Sequence, residues 1–430
     1  MSWASWPEMP LKAVASVNDE VLPENQDETT QISYLEISDV DHVSGARWGE
    51  PITFGSAPSR ARRIVRPGDV LVSTVRTYLR AVTSVQDPPP NAIASTGFAV
   101  LRPRCVDSRF LGYAILAPAV LDEIVARSVG ISYPAINAAD LMSIKIQVPA
   151  TPDQEAIADF LDEETGEIDA FIRDQEDLIG LLQERRAATV SHAVTKGLNP
   201  DAPFTESGSN WLGLIPSHWT VATLRRILGV IEQGISPQAE AGPAKEGETG
   251  VLKSGCVNGG VFREDEQKKL PDGFSYPASL VVRPGDLLMN RASGSIRLLG
   301  SAALVDHVSS KLILSDKTFR LHPLPSMAST QYLNALLNST PTRRQIESSV
   351  SGAEGLANNL PMASIRQLVV AMPPPEEQSR IVNYLQDALH EVDLTIADAR
   401  RAVALSRERR VALISGAVTG KIHVRELVEV

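Results

Sequence analysis

The stretch QEAIADFLDEETGEIDAFIRDQEDLIGLLQERRAATVSHAVT, residues 154–195, occurs twice in diverged form. Residues 378–419, QSRIVNYLQDALHEVDLTIADARRAVALSRERRVALISGAVT, lie over it without a gap at an offset of 224. Gln154 meets Gln378, Ile157 meets Ile381, Leu161 meets Leu385 and Asp169 meets Asp393. Glu-Arg-Arg at 184–186 meets the same triplet at 408–410, and Ala-Val-Thr at 193–195 meets 417–419. A common apolar period would not bring the polar residues into register as well, so the chain is read as an internal duplication.

Both copies read as long helices, over 152–197 and 375–421. Pro152 and Pro375 sit in first turns, where a missing N–H costs little. Apolar residues recur in steps of three, four and seven: Ile157, Leu161, Ile168, Ile172, Ile179, Leu182, then Ile381, Leu385, Leu389, Val392, Ile396, Ala399, Val403. This narrow stripe suits a coiled coil. Gly166 and Gly180 each weaken the first helix by roughly 1 kcal/mol against alanine, which leaves a kink open there. Gly197 and Gly420 stand where helices commonly stop. About 43 helical residues would span roughly 65 Å. Such a helix cannot bury its stripe alone, so the two copies are expected to pack on each other, and an antiparallel arrangement would place one lobe at each end.

The repeat continues upstream. Arg66-Pro-Gly-Asp-Val-Leu matches Arg283-Pro-Gly-Asp-Leu-Leu at offset 217, and 140–149 parallels 364–373 at offset 224. The expected fold is therefore α+β: two mixed α/β lobes, 1–151 and 198–374 with its linker, separated by two long antiparallel helices in a pseudo-two-fold repeat. Residues 422–430 form a tail. In the first lobe 70–75 and 97–103 read as strands and 109–128 as helix. The second has strand-like 280–291 and 319–323, then a helix near 329–349. The Arg-Pro-Gly-Asp tetrapeptides read as tight turns into a strand.

Net charge is −11, which argues against a nucleic-acid partner until its distribution is considered. Residues 152–197 hold 12 acidic and 4 basic residues, so most of the acidity belongs to the first helix. Residues 47–80 carry Arg47, Arg60, Arg62, Arg63, Arg66, Arg76 and Arg80 against Glu50 and Asp69. Local basic patches, rather than net charge, attract phosphates. No apolar run reaches the ~18 residues of a membrane span, and the start lacks signal-peptide regions. Cys105 and Cys256, one per half, give neither a disulfide framework nor a zinc spacing. A cytoplasmic setting is the expectation.

Polar and basic residues follow each Arg-Pro-Gly-Asp strand. These are Ser73, Thr74, Arg76, Tyr78 and Arg80 in the first lobe, and Asn290, Arg291, Ser293, Ser295 and Arg297 in the second. Arginine can grip guanine and asparagine adenine, while serine and threonine suit phosphates or base edges. With Arg60, Arg62, Arg63 and Lys317 they are the candidate DNA-binding residues. A solvated loop is as good a reading for any single one; the cluster as a whole favours DNA.

Enzyme signatures are missing. Asp87-Pro88-Pro89 is followed by Pro90, not the aromatic a methyltransferase motif needs. Gly416 to Lys421 has three residues between its glycines, then Ile422, so it fails as a P-loop and reads as a helix end. Glu266-Gln267-Lys268 lacks a suitably placed upstream aspartate for a nuclease. The seven histidines form no metal-ligand pair. No catalytic residue, metal or cofactor is expected.

The linker TKGLNPDAPFTESGSNWLGLIPSHWTV (195–221) resembles the segment between the two halves of Type I restriction-modification specificity subunits. VPATPDQEAIADFL (148–161), MPPPEEQSRIVNYL (372–385), the ERR…AVT helix ends and GDVLVSTVRTYLR (68–80) are similar to that family too. Ala150-Thr151 departs from its usual proline run, which survives at Pro373–Pro375. The resemblance implies that each lobe is a target recognition domain reading half of a split double-stranded DNA site. It implies that the helices set the unread spacer and bind two methyltransferase subunits, with restriction (nuclease-translocase) subunits joining them, and that no membrane is involved. A non-catalytic adaptor in another defence or DNA-processing complex is the alternative reading.

Overall fold

The computed structural model describes residues 6–41, 45–131, 133–240, 242–350 and 358–425. They pack as two compact units, residues 1–177 with 399–430, and residues 178–398. Each unit contains one lobe and part of both long helices.

The first lobe is built on strands β1 (Ala15–Val17), β2 (Asp69–Ser73), β3 (Val82–Val85) and β4 (Phe98–Pro103). They form one antiparallel sheet in the order β1-β4-β2-β3. The second lobe uses β5 (Leu228–Gln233), β6 (Leu287–Asn290), β7 (Ala302–Leu304) and β8 (Thr318–Pro323) in the order β5-β8-β6-β7, again antiparallel. Each lobe adds a smaller sheet with one parallel pair, Gln31–Leu35 beside Ala92–Ser95 and Thr249–Leu252 beside Lys311–Ile313. The lobes thus share topology where their sequences have diverged.

The two stretches expected as single helices are each broken in two. Ser108–Leu116 is followed by Pro118–Ala126, and Thr330–Leu337 by Thr340–Ser349. Pro118 and Pro341 explain the breaks: each lacks the N–H that a continuing helix needs and so starts a new one. Asp107 caps the first helix by accepting from the Arg109 and Phe110 amides, and Ser329 caps its counterpart by accepting from Tyr332.

The long helices run Thr151–Lys196, unbroken through Gly166 and Gly180, and Pro375–Val418. Gly197 and Gly420 follow them with φ of +75° and +71°, the left-handed stop that glycine tolerates. All seven stripe residues of the second helix are buried. In the first, Ile157, Leu161, Ile168 and Ile172 are buried, while Ile179 and Leu182 are half-buried.

The helices pack antiparallel within each unit. In the first unit Asp169 accepts from Arg410 Nε at 2.9 Å and Glu176 from Arg407 at 2.7 Å. In the second, Asp393 accepts from Arg186 Nε at 2.8 Å. Asp393 and Arg410 are the repeat equivalents of Asp169 and Arg186, so the duplication makes one ion pair twice with the donor and acceptor helices exchanged. Each lobe's core closes over the helix ends of its own unit. Leu11, Val70, Leu101, Phe110 and Leu111 pack with Ile157, Leu161, Ile414 and Ala417. Leu224, Leu287, Phe319 and Tyr332 pack with Val190, Val194, Ile381 and Leu385.

Candidate nucleic-acid interface

The candidate residues are positioned by the Arg-Pro-Gly-Asp turns. Gly68 and Gly285 hold φ of +82° and +90°, as such turns require. Asp69 Oδ2 accepts from the Arg66 backbone N–H at 2.7 Å, and Asp286 does the same for Arg283 at 2.8 Å. The same carboxylates anchor an arginine of the neighbouring strand. Arg102 on β4 grips the wholly buried Asp69 with two bonds, at 2.8 and 2.9 Å. Arg320 on β8 stands 3.0 Å from Asp286. A second acid completes each cluster. Glu20 accepts from Arg66 at 2.7 Å and Arg102 at 2.6 Å, and Glu232 accepts from Arg320 at 2.9 Å. The bonds from Arg66 and Arg102 hold the Glu20 carboxyl down to about 2. The turns therefore do more than reverse the chain: a doubly bonded charge pair holds the start of β2, and an ion pair holds the residue that leads into β6.

In the first lobe the chain leaves β2 at Ser73, which is buried. Thr74 is tied to Gly97 by its amide and its hydroxyl, at 2.8 and 2.9 Å. Arg76 and Arg80 then adopt positive φ, +53° and +51°, which non-glycine residues rarely do. Arg76 is exposed, with its guanidinium over the Tyr133 ring at 5.0 Å. Tyr78 is exposed, and Arg80 pairs with Asp122 at 2.6 Å. Arg60 pairs with Glu36 at 2.6 Å, with Tyr34 Oη 3.3 Å from its Nε. Arg60 and Arg76, with Glu36, Ser95, Thr96 and Tyr133, line one open cavity of about 480 Å³. Arg62 belongs to a different hollow, where it covers the Phe54 ring at 5.0 Å. Arg63 is half-buried in the smaller sheet, and burial lowers its guanidinium from the usual arginine value.

In the second lobe Asn290 closes β6 and is fully buried. Its amide nitrogen donates to Asn258 Oδ1 and Leu298 O at 3.0 and 2.8 Å, and its oxygen accepts from Gly300 at 2.8 Å. Arg291 donates to Asp316 O at 3.2 Å, and its backbone amide donates to the Lys317 carbonyl at 2.8 Å. Ser293 is half-buried and holds the Ser295 amide. Arg297 and Lys317 are exposed, and Lys317 pairs with Asp316 at 3.2 Å. Sequence reading missed Glu36, Tyr34 and Tyr133. A Tyr-Pro following Gly130 was the available signal, because an aromatic before proline in a glycine turn is a poor core residue.

Among the described residues no group of three metal-ligating side chains occurs, and no helix is long and apolar enough to cross a membrane.

Residues 58–175 match the family described as the Type I restriction modification DNA specificity domain. The chain is 27% identical over 212 residues to the Type I restriction enzyme EcoEI specificity subunit of Escherichia coli, covering 49% of this chain and 35% of that one. It is 24% identical over 334 residues to the EcoKI specificity subunit of Escherichia coli strain K12, covering 75% of this chain and 68% of that one. The matches thus span about a third and about two thirds of the two relatives. Its fold is similar to a solved chain from work on complex assembly and conformational transition of the type I R-M system. That match has a TM-score of 0.60 at 20% identity and covers 97% and 99% of the two chains. With that domain matched over its first lobe and two specificity subunits aligned along it, the chain is similar to Type I restriction-modification specificity subunits.

Proposed function

We propose that this chain reads a bipartite sequence on double-stranded DNA and does no chemistry on it. Each lobe takes one half-site, and the paired helices fix the spacing between half-sites and dock two methyltransferase subunits. Restriction subunits complete the assembly, in the cytoplasm. One observation carries the reading: two lobes of the same strand order present different exposed side chains from equivalent, charge-anchored strands. Half-site spacing must match the separation of the reading modules, and a duplicated helix pair supplies such a ruler. The acidic first helix suits a protein partner better than phosphates.

Arg60, Thr74, Arg76 and Tyr78 face DNA from the first lobe, and Arg291, Ser293, Arg297 and Lys317 from the second. Arg62, Arg63 and Arg80 border the first surface. The buried Ser73 and Asn290 serve by holding their strand ends.

Gel-shift titration of the complex with its methyltransferase partner tests the proposal; equal affinity for all sequences would overturn it. Removing about two helical turns, roughly seven residues, from both long helices should shorten the recognised spacer and leave the half-sites unchanged. If the lobes bind protein instead, as in an adaptor, binding will lack the steep salt dependence of phosphate contacts.

A further inference from the structure

We propose that the exposed tip of the first lobe that carries Val129, Ile131 and Tyr133 is an apolar wedge that enters the base stack of the DNA half-site. The inference rests on the DNA-reading function above. Val129, Ile131 and Tyr133 are 81%, 102% and 66% exposed. Three large apolar side chains left exposed so close together in sequence point to an interaction site rather than to scattered surface residues.

The tip is built to stand out. Val129 and Ala135 exchange both backbone hydrogen bonds, at 2.9 and 3.0 Å. The Arg76 amide donates to Pro134 O at 2.8 Å, and the Ile136 amide to Thr74 O at 2.9 Å. Below the tip, Ser128 and Thr77 join their hydroxyls at 2.7 Å. A tip fixed at both stems needs little ordering when it binds, and ordering costs affinity.

The charge around the tip selects nucleic acid over a protein face. Arg76 lies against Tyr133, and Arg60 shares the cavity that Tyr133 rims. The acids Glu36 and Asp122 are held by Arg60 and Arg80. Proteins that kink DNA insert side chains such as isoleucine between base steps with arginines gripping alongside, and an aromatic ring can stack on a displaced base.

The test uses the full chain in complex with its methyltransferase partner. Duplexes carry 2-aminopurine at successive positions of the first half-site. At one position other than the methylated base, fluorescence should rise several-fold on binding. An Ile131→Ser, Tyr133→Ser double variant, folded by its melting curve, should lose that rise. Ile131→Ala, which leaves Tyr133 under Arg76, should lose part of it. No rise outside the methylated base, or an undiminished rise in the variants, would overturn the wedge. Loss of sequence discrimination by the wild-type complex would instead overturn the DNA-reading function on which the wedge rests.

Discussion

Asp169 and Arg410 meet at 2.9 Å with side chains only 12% and 8% exposed, whereas their repeat equivalents Asp393 and Arg186 meet at 2.8 Å with 50% and 30% exposed. The same pair, made twice, is sealed in one unit and wet in the other. Arg410→Ala should therefore cost ~3–5 kcal/mol, because it strands a buried carboxylate. Arg186→Ala should cost no more than ~1 kcal/mol, as for exposed pairs. Denaturant unfolding of the two variants decides this, and equal losses would contradict it.

Acid should loosen the first lobe through Glu20. Its carboxyl is held at about 2 against an ordinary value of 4.5, chiefly by hydrogen bonds from Arg66 and then Arg102. A carboxyl depressed by folding contributes stability that is present above 4.5 and is lost as pH falls towards about 2. Glu20→Gln should flatten that limb of the stability–pH curve and leave the neutral limb parallel to wild type. An unchanged acid limb would refute the assignment.

Asn290→Ala should destabilise the second lobe by ~1–3 kcal/mol, since it leaves the partners of a fully buried amide unsatisfied. Melting temperature should fall while the recognised half-site stays the same. A changed half-site with unchanged stability would instead put Asn290 against DNA.

Arg297 is exposed on the second lobe. Arg297→Ala should weaken DNA binding roughly equally across sequences and reduce the salt slope by about one. Titrations at several salt concentrations read this directly. A loss confined to one base pair would make Arg297 a base reader.

Gly197 holds φ +75°, and a Cβ there would meet Glu377 at 3.2 Å and Trp219 at 3.3 Å. Gly197→Ala should destabilise the second unit by ~1–2 kcal/mol through the left-handed conformation alone. Limited proteolysis of the linker at 198–211 should accelerate.

The helices and their pairing were legible because the duplication repeats polar residues such as Asp169 and Arg186 in register. Strands β2 and β4 were legible as apolar runs beyond turn residues. The broken helices at Pro118 and Pro341 were legible in principle, but the long apolar period concealed them. The charge clusters were not, because Asp69 and Arg102 are far apart in sequence and nothing local marks them as partners. The same limit applies to the site. Arg60 and Arg76 were singled out by type, but Glu36 and Tyr133 join them only through the fold. Burial separates Ser73 and Asn290 from their exposed neighbours, and a lone sequence gives no sign of it.

Asp69 and Asp286 spend their carboxylates inside the lobes, so the side chains just past each strand end are released from holding the structure up. Tyr78 and Arg297, both exposed, can then be exchanged with little thermodynamic penalty. If the lobes read DNA as proposed, such a lobe can be recoded to a new target one substitution at a time while its scaffold stays intact.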